Sequence, residues 1–161
     1  MQQSNLVTVI IPTFNRYELL LRAIKSVEEQ TYKRVQIIVV DDCSTDATRE
    51  LLPKLCHANS YLEMIRNETN LGAAVGRNLA IKAAKGGYIC FLDDDDEWLP
   101  TKLEKQLPWV DRYSIVGCIS QRIDGFSMGG RVVYKSKQKP AESSVVNDVT
   151  EITLEDVFFN N

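Results

Sequence analysis

Four short runs of β-branched and aliphatic residues alternate with segments of helical spacing, and this alternation limits the folds open to the chain. The runs are Val7-Thr8-Val9-Ile10-Ile11, ended by Pro12, then residues 35–40, the weaker 61–66, and 88–92. They are too apolar for half-exposed strands and read as strands buried on both faces. Between the first two, Leu19, Leu20, Ala23, Ile24 and Val27 share one helix face. A second helix carries Leu51, Leu52 and Leu55, with Ser44-Thr45-Asp46 as its caps and Pro53 expected to bend or end it. Leu71-Gly72 opens a third helix, with Val75, Leu79, Ile81 and Ala83 as apolar positions and Gly86-Gly87 as its stop. The pattern predicts an α/β sandwich with a mostly parallel central sheet and right-handed crossovers. Beyond it, Pro100 starts a helix through about Val110, and residues 114–121 form a fifth strand, paired in a hairpin with 131–134. Residues 136–148 read as a mobile polar loop, with Lys135, Lys137 and Lys139 a solvated basic patch. A last helix begins at Thr153.

Composition excludes several function classes. With 161 residues, 44% hydrophobic and 25% charged, the chain has room for one core and is not a disordered, collagen-like or coiled-coil sequence. Its 19 basic and 22 acidic residues lack the overall basic charge that by itself would suggest a nucleic-acid binder. No apolar run approaches the roughly 18–20 residues of a membrane-spanning helix. Cys43, Cys56, Cys90 and Cys118 are scattered and His57 is the one histidine, which argues against a Cys/His zinc site. Cys90 reads as a small buried hydrophobe. Free thiols and a polar start without a signal-peptide pattern lead us to expect a cytoplasmic protein, with peripheral contact at the inner face of the membrane left open.

The chemistry should lie at the carboxyl ends of the strands, where open α/β sheets bind ligands. Three strand ends are unusual: Pro12-Thr13-Phe14-Asn15-Arg16, Asp41-Asp42-Cys43-Ser44 and Asp93-Asp94-Asp95-Asp96. If the strands are parallel, all three face one crevice. Six carboxylates so placed repel one another, and a cation, or a ligand that carries one, would relieve this. Hard oxygen donors suit Mg²⁺ or Mn²⁺, held by one or two carboxylates plus substrate phosphates. Plainer readings exist: a solvated turn with helix capping for the four aspartates, a cap and turn for Asp41-Asp42, and a polar helix start for Asn15-Arg16. No Gly-x-Gly-x-x-Gly follows the first strand and there is no P-loop, so a dinucleotide-binding dehydrogenase and a P-loop ATPase are disfavoured. Gly72 and Gly76 read as close helix–sheet packing.

Four ordered motifs, Val9 to Arg16, Val39 to Asp46, Asn70 to Asn78 and Phe91 to Asp96, together resemble the family 2 glycosyltransferases of GT-A fold over residues 6–112. The resemblance implies a GT-A (Rossmann-like) α/β/α sandwich, one domain over 1–161, with the donor-binding half at 6–112 and the start of an acceptor-side region at 113–161, incomplete at its C-terminus. It implies transfer of a sugar from a nucleoside-diphosphate sugar, a UDP-sugar, to a hydroxyl of a saccharide or lipid-linked acceptor in polysaccharide biosynthesis, metal-dependent and inverting. Pro12, Thr13 and Phe14 would line the nucleoside pocket, with Phe14 against base or ribose and Arg16 beside them. Asp42 would accept a hydrogen bond from the base, and Arg77 would lie near the diphosphate. Asp93-Asp94-Asp95 would be the Asp-x-Asp motif, with Asp95 as the direct ligand of Mn²⁺ or Mg²⁺, Asp93 as a further metal ligand, and Asp93 or Asp94 contacting ribose or sugar. An inverting enzyme needs a carboxylate base. Asp111, Asp124, Asp148, Glu151, Glu155 and Asp156 are available, and none stands in a recognisable motif. The alternative is a nucleotide-sugar-binding module without a base. A sugar nucleotidyltransferase would want a glycine-rich loop after the first strand, and a phospho-receiver domain would want its acidic pair there.

Overall fold

The computed structural model describes residues 5–110 in full and, beyond them, the backbone of strands at 113–119, 131–136, 145–146 and 149–151. Two compact units, Met1–Lys102 and Leu103–Asn161, make up the chain. In the first, strands β1 (Val7–Thr13), β2 (Val35–Asp41), β3 (Leu62–Arg66) and β4 (Tyr88–Phe91) alternate with helices α1 (Tyr17–Glu28), α2 (Thr48–Ala58) and α3 (Ala73–Ala83). All the strand pairs are parallel and the order is β3-β2-β1-β4. The strand order thus reverses at β1, and right-handed crossovers put α1 and α2 on one face and α3 on the other. In open α/β sheets such a reversal marks the carboxyl ends of the strands on either side, here β1 and β4, as the place where ligands bind.

The core sits on both sides of β1 and β2. Every residue of β1 is buried, as are all of β2 from Gln36 onward. Ile10, Ile38 and Val40 pack with Ala80 of α3. On α1 the expected residues Leu20, Ala23, Ile24 and Val27 are buried. On α3 the apolar positions differ from expectation: Gly76 and Ala80 are buried, while Val75 and Ile81 are exposed. The reason is proximity, since a Cβ on Gly76 would come within 3.0 Å of Val40 Cγ1. Gly72 has a different role, with φ 84° at the N-cap of α3 and open space around it.

Three further expectations change. β1 does not end at Pro12 but continues through Thr13. Alternate β1 residues point to opposite neighbours: the Ile10 carbonyl accepts from Leu92 N–H on the β4 side, and the Thr13 carbonyl accepts from Asp42 N–H on the β2 side. Pro12 therefore faces β4, beyond the end of the β1–β4 pairing, where its missing N–H costs no ladder bond. β4 is not fully buried, because it pairs with β1 alone among the described strands, and Ile89 and Phe91 are exposed. Cys90 is half-buried. Pro53 does not end α2; the helix runs through it to Ala58. Pro53 and Arg49, whose carbonyl loses its helical partner, both face solvent, so water can satisfy that carbonyl.

In the second unit, α4 (Lys102–Gln106, whose first residue closes the first unit) and a 3-10 turn at Leu107–Trp109 replace the single longer helix expected after Pro100. β5 (Tyr113–Ile119) and β6 (Arg131–Ser136) form the expected antiparallel hairpin. β7 (Val145–Val146) and β8 (Val149–Glu151) add two short strands, the first inside the stretch expected to be a loop. The expected helix from Thr153 lies outside the described residues, as do the side chains of Lys135, Lys137 and Lys139. No helix among the described residues is long and apolar enough to cross a membrane.

The amino ends of the strands are fastened by a buried polar network. Thr8 Oγ1 donates to Gln36 Oε1 at 2.7 Å, Gln36 Nε2 donates to Glu63 at 3.0 Å, and the N–H groups of Lys85 and Gly86 donate to Gln36 Oε1 and Thr8 Oγ1, both at 3.0 Å. Gly86 is enclosed by backbone: an added Cβ would lie 2.6 Å from the Leu6 carbonyl and 2.7 Å from Thr8 N. Gly86→Ala should therefore destabilise the protein by about 1–3 kcal/mol in urea denaturation; unchanged stability would show that the turn can yield.

Candidate functional site

Thr13, the last residue of β1, joins the rims of its two neighbours. Its carbonyl accepts the Asp42 N–H at 2.9 Å, and its hydroxyl donates to Asp94 Oδ2 at 2.8 Å. The carboxyl ends of β1, β2 and β4 thus meet around one residue, and with them Pro12, Thr13, Phe14, Arg16, Asp42 and the acidic run. Arg77 arrives from α3 on the opposite side of the run, where its Nη2 donates to Asp93.

The six clustered carboxylates have separate environments. Asp41 is fully buried and turned inward, paired with Arg66 and accepting the Ser44 N–H at 2.9 Å. Asp42 Oδ1 accepts from Asn67 Nδ2 and the Leu71 N–H, and Oδ2 from the Gly72 N–H, each at 2.8 Å. Burial works against its charge, but these three donors outweigh burial and hold the carboxyl below the usual carboxylate range. Asp94 is buried, its oxygens taken by Thr13 and by Arg16 Nη1 at 3.2 Å. Its neighbours Asp93 and Asp95 are each 54% exposed at the side chain, against 7% for Asp94. The alternation leaves Asp93 and Asp95 half-exposed, each against an arginine, and makes Asp94 part of the frame. Asp96 closes the turn with its N–H on the Asp93 carbonyl at 3.1 Å, and burial, with Asp95 and Asp93 adding to it, raises its pKa.

Arginine supplies part of the neutralisation that the sequence led us to assign to a cation. Arg16 Nη1 lies 3.1 Å from Asp95 Oδ2 as well as 3.2 Å from Asp94 Oδ1, so one guanidinium spans two carboxylates. Arg77 holds Asp93 and Arg66 holds Asp41. Among the described residues no group of three His, Cys, Asp or Glu side chains could form a metal site without a ligand's help. Half-exposed Asp95 and Asp93 still suit a hard cation whose other ligands are phosphate oxygens and water.

The acidic run is also held from behind. Arg22 donates to Glu97, the Trp98 N–H to Ser26 Oγ at 3.0 Å, buried Gln30 Nε2 to the Leu99 carbonyl at 2.8 Å, and the Thr31 N–H to the Pro100 carbonyl at 2.8 Å. Residues 97–100 are thus stitched along α1. Phe14 stands at the rim, 43% exposed, as a free aromatic face.

Sequence reasoning undervalued Asn15 and Asp46. Asn15 adopts φ 54° and Cys43 φ 70°. Asn15 Oδ1 accepts from Thr45 N–H at 2.7 Å and Asp46 N–H at 3.3 Å, and the Asn15 N–H donates to Ser44 Oγ at 2.9 Å. Asp46 accepts the Tyr17 N–H on Oδ2 at 3.1 Å and the Thr48 N–H on Oδ1 at 3.0 Å. It therefore serves the starts of α1 and α2 together, a wider role than the capping of α2 expected for it. The readable signal was an Asn between a buried strand and a helix, since Asn tolerates left-handed backbone. Of the candidate bases, Glu151 lies in β8, and its side chain and the other five residues lie outside the described ones.

Comparison with known proteins agrees with this geometry. The family model for glycosyl transferase family 2 matches residues 8–154, and the chain belongs to that family. It is 41% identical over 106 residues to the UDP-Glc:alpha-D-GlcNAc-diphosphoundecaprenol beta-1,3-glucosyltransferase WfaP of Escherichia coli, which covers 66% of this chain and 41% of WfaP. The chain thus spans about two fifths of the length of that relative. The S. aureus TarS 1–349 structure in complex with UDP superposes with a TM-score of 0.64 at 29% identity, over 76% of this chain and 38% of that 1–349 chain. A mannosyltransferase from Pyrobaculum calidifontis, solved with GDP-Man and Mn²⁺, gives 0.54 at 28% identity over 60% of this chain and 29% of its own. The fold is GT-A-like.

The charge state of Asp42 has a measurable consequence. A carboxyl with a depressed folded pKa adds stability that is complete above the unfolded value, about pH 4, and is lost as pH falls through the folded value. Asp42→Asn removes this linkage, so its stability should fall less steeply with acidification below about pH 4 than the parent's in denaturant titrations. Parallel curves would contradict the assignment.

Proposed function

We propose that this chain forms the donor-binding face of an inverting glycosyltransferase that moves a sugar from a UDP-sugar to a hydroxyl of a saccharide or lipid-linked acceptor. The observation that carries the reading is the meeting at Thr13 of Asp42 and the acidic run, in which Asp93 and Asp95 are half-exposed. Kinship supports it: the E. coli relative is named for UDP-Glc, and S. aureus TarS was solved with UDP and with UDP-GlcNAc.

In this reading Phe14 packs against base or ribose, with Pro12 and Thr13 forming the floor. Asp42 keeps acceptor capacity on Oδ2, which receives only the Gly72 N–H, and takes the imide N–H of uracil. Asp95, with Asp93, would hold Mn²⁺ or Mg²⁺, which would supply neutralisation of the charge on the departing nucleoside diphosphate. Arg16 and Arg77, already at the acidic run, turn to phosphate oxygens as charge-assisted donors. Asp94 stays on Thr13 and keeps the run in place, which leaves half-exposed Asp93 as the one to reach ribose or sugar. A carboxylate from the acceptor side takes the proton of the attacking hydroxyl.

Calorimetric titration of UDP with and without Mn²⁺ tests the reading, followed by an assay of UDP release from UDP-sugars. The expected result is UDP binding strengthened by Mn²⁺, with that strengthening lost in Asp95→Ala while metal-free UDP binding persists. Undiminished Mn²⁺ assistance in Asp95→Ala would refute the metal role. UDP binding without UDP release would mark a binding module in place of a complete transferase.

A further inference from the structure

The loops that carry Phe14 and Arg16 on one side and Asp42 on the other belong to adjacent strands and would move independently if each were anchored only by its own strand. They are instead interlocked. Asn15 sits between Phe14 and Arg16, and its Oδ1 gathers backbone donors from the loop after β2. Ser44, two residues beyond Asp42, accepts the Asn15 N–H. Both loops adopt left-handed backbone at the crossing, at Asn15 and Cys43, conformations that non-glycine residues keep only where their surroundings impose them.

The capping arrangement indicates what this lock serves. A helix is usually capped by a Ser, Thr, Asp or Asn at its own N-cap. At α1 that position is Arg16, which makes no capping bond and reaches Asp94 and Asp95 instead. The α1 N–H at Tyr17 is served from 29 residues away by Asp46. Placing the cap on the neighbouring loop frees position 16 for a guanidinium at the acidic run and binds the two rims together.

We propose that Asn15 and Asp46 are positioning residues for the donor nucleotide: they fix Phe14 and Arg16 relative to Asp42 before the nucleotide arrives, and so raise its affinity without touching it. The inference rests on the proposed UDP site and deepens it. A pocket assembled in advance loses less conformational entropy on binding.

UDP titration of the full chain, paired with urea denaturation, tests this. Asn15→Gly keeps the left-handed backbone and removes the acceptor, and Asp46→Asn turns one of two acceptors into a donor. Each should weaken UDP binding about tenfold, the effect of losing one to two hydrogen bonds. Asn15→Asp, which keeps the acceptor, should restore most of the affinity. Gln36→Leu breaks the buried network at the opposite end of the strands; it should lower stability yet leave UDP affinity at the parent value. Parental affinity in both Asn15→Gly and Asp46→Asn, or an equal loss in Gln36→Leu, overturns the inference. If Asn15→Gly does not fold, Asp46→Asn and Asn15→Asp decide it alone. A parent chain that fails to bind UDP overturns the proposed function itself, and the inference with it.

Discussion

The rim of this sheet depends on one hydroxyl. Thr13 ends the central strand β1, and its short side chain donates to Asp94 while its carbonyl receives Asp42. β2 stays paired with β1 to its last residue, whereas the pairing of β4 with β1 stops at Ile10. Without a cross-tie the acidic run of β4 would be placed by its own turn alone. With the tie, and with residues 97–100 stitched to α1, the run is fixed at both ends and the outer members of Asp-x-Asp are presented to solvent. The negative charge so gathered is moderated from within by Arg16, Arg77 and Arg66. A cation is therefore not needed to make the fold tolerable. Its place in the proposal comes from the ligand's phosphates and from two half-exposed oxygens, a narrower argument than repulsion alone.

Much of this was legible in the sequence. The buried runs of β1 and β2 fixed a parallel sheet, because apolar residues on both faces of a strand leave few other arrangements. The three polar strand ends then had to share an edge. What could not be read was which strand lay outermost: β4 is as apolar in composition as β1, yet Ile89 and Phe91 are exposed because strand order is a tertiary property. The face of α3 was misjudged for a related reason. Gly76 packs close to the sheet as expected, but size drew attention to Val75 and Ile81, whereas close approach to Val40 favours small residues, and Ala80 joins Gly76 in that role. In α2, helix propensity overstated the effect of Pro53, which costs less where its orphaned carbonyl reaches water.

At the site, residue identity was more legible than residue duty. Asp41 and Asp42 look equivalent as letters, but one is sealed under Arg66 and the other pins the loop at 67–72 with both its oxygens. Asp41 closes β2 and Asp42 lies just past it, while Asp93, Asp94 and Asp95 part company in the turn that the Asp96 N–H closes on the Asp93 carbonyl. Asn15 and Asp46 were hidden because their importance lies in backbone groups far away in sequence, which no local pattern encodes. Hydrogen bonds between loops are set by topology, and topology had first to be known.

The proline in β1 has a last consequence. Where any other residue would present an amide toward β4, Pro12 presents a ring, and the pairing of the two strands halts at Ile10. Past that point side chains join the two rims, Thr13 and Arg16 to Asp94. The final stretch of the edge is therefore held by groups that a single substitution can remove, whereas the strands behind it are held by backbone that no substitution short of proline can unpair.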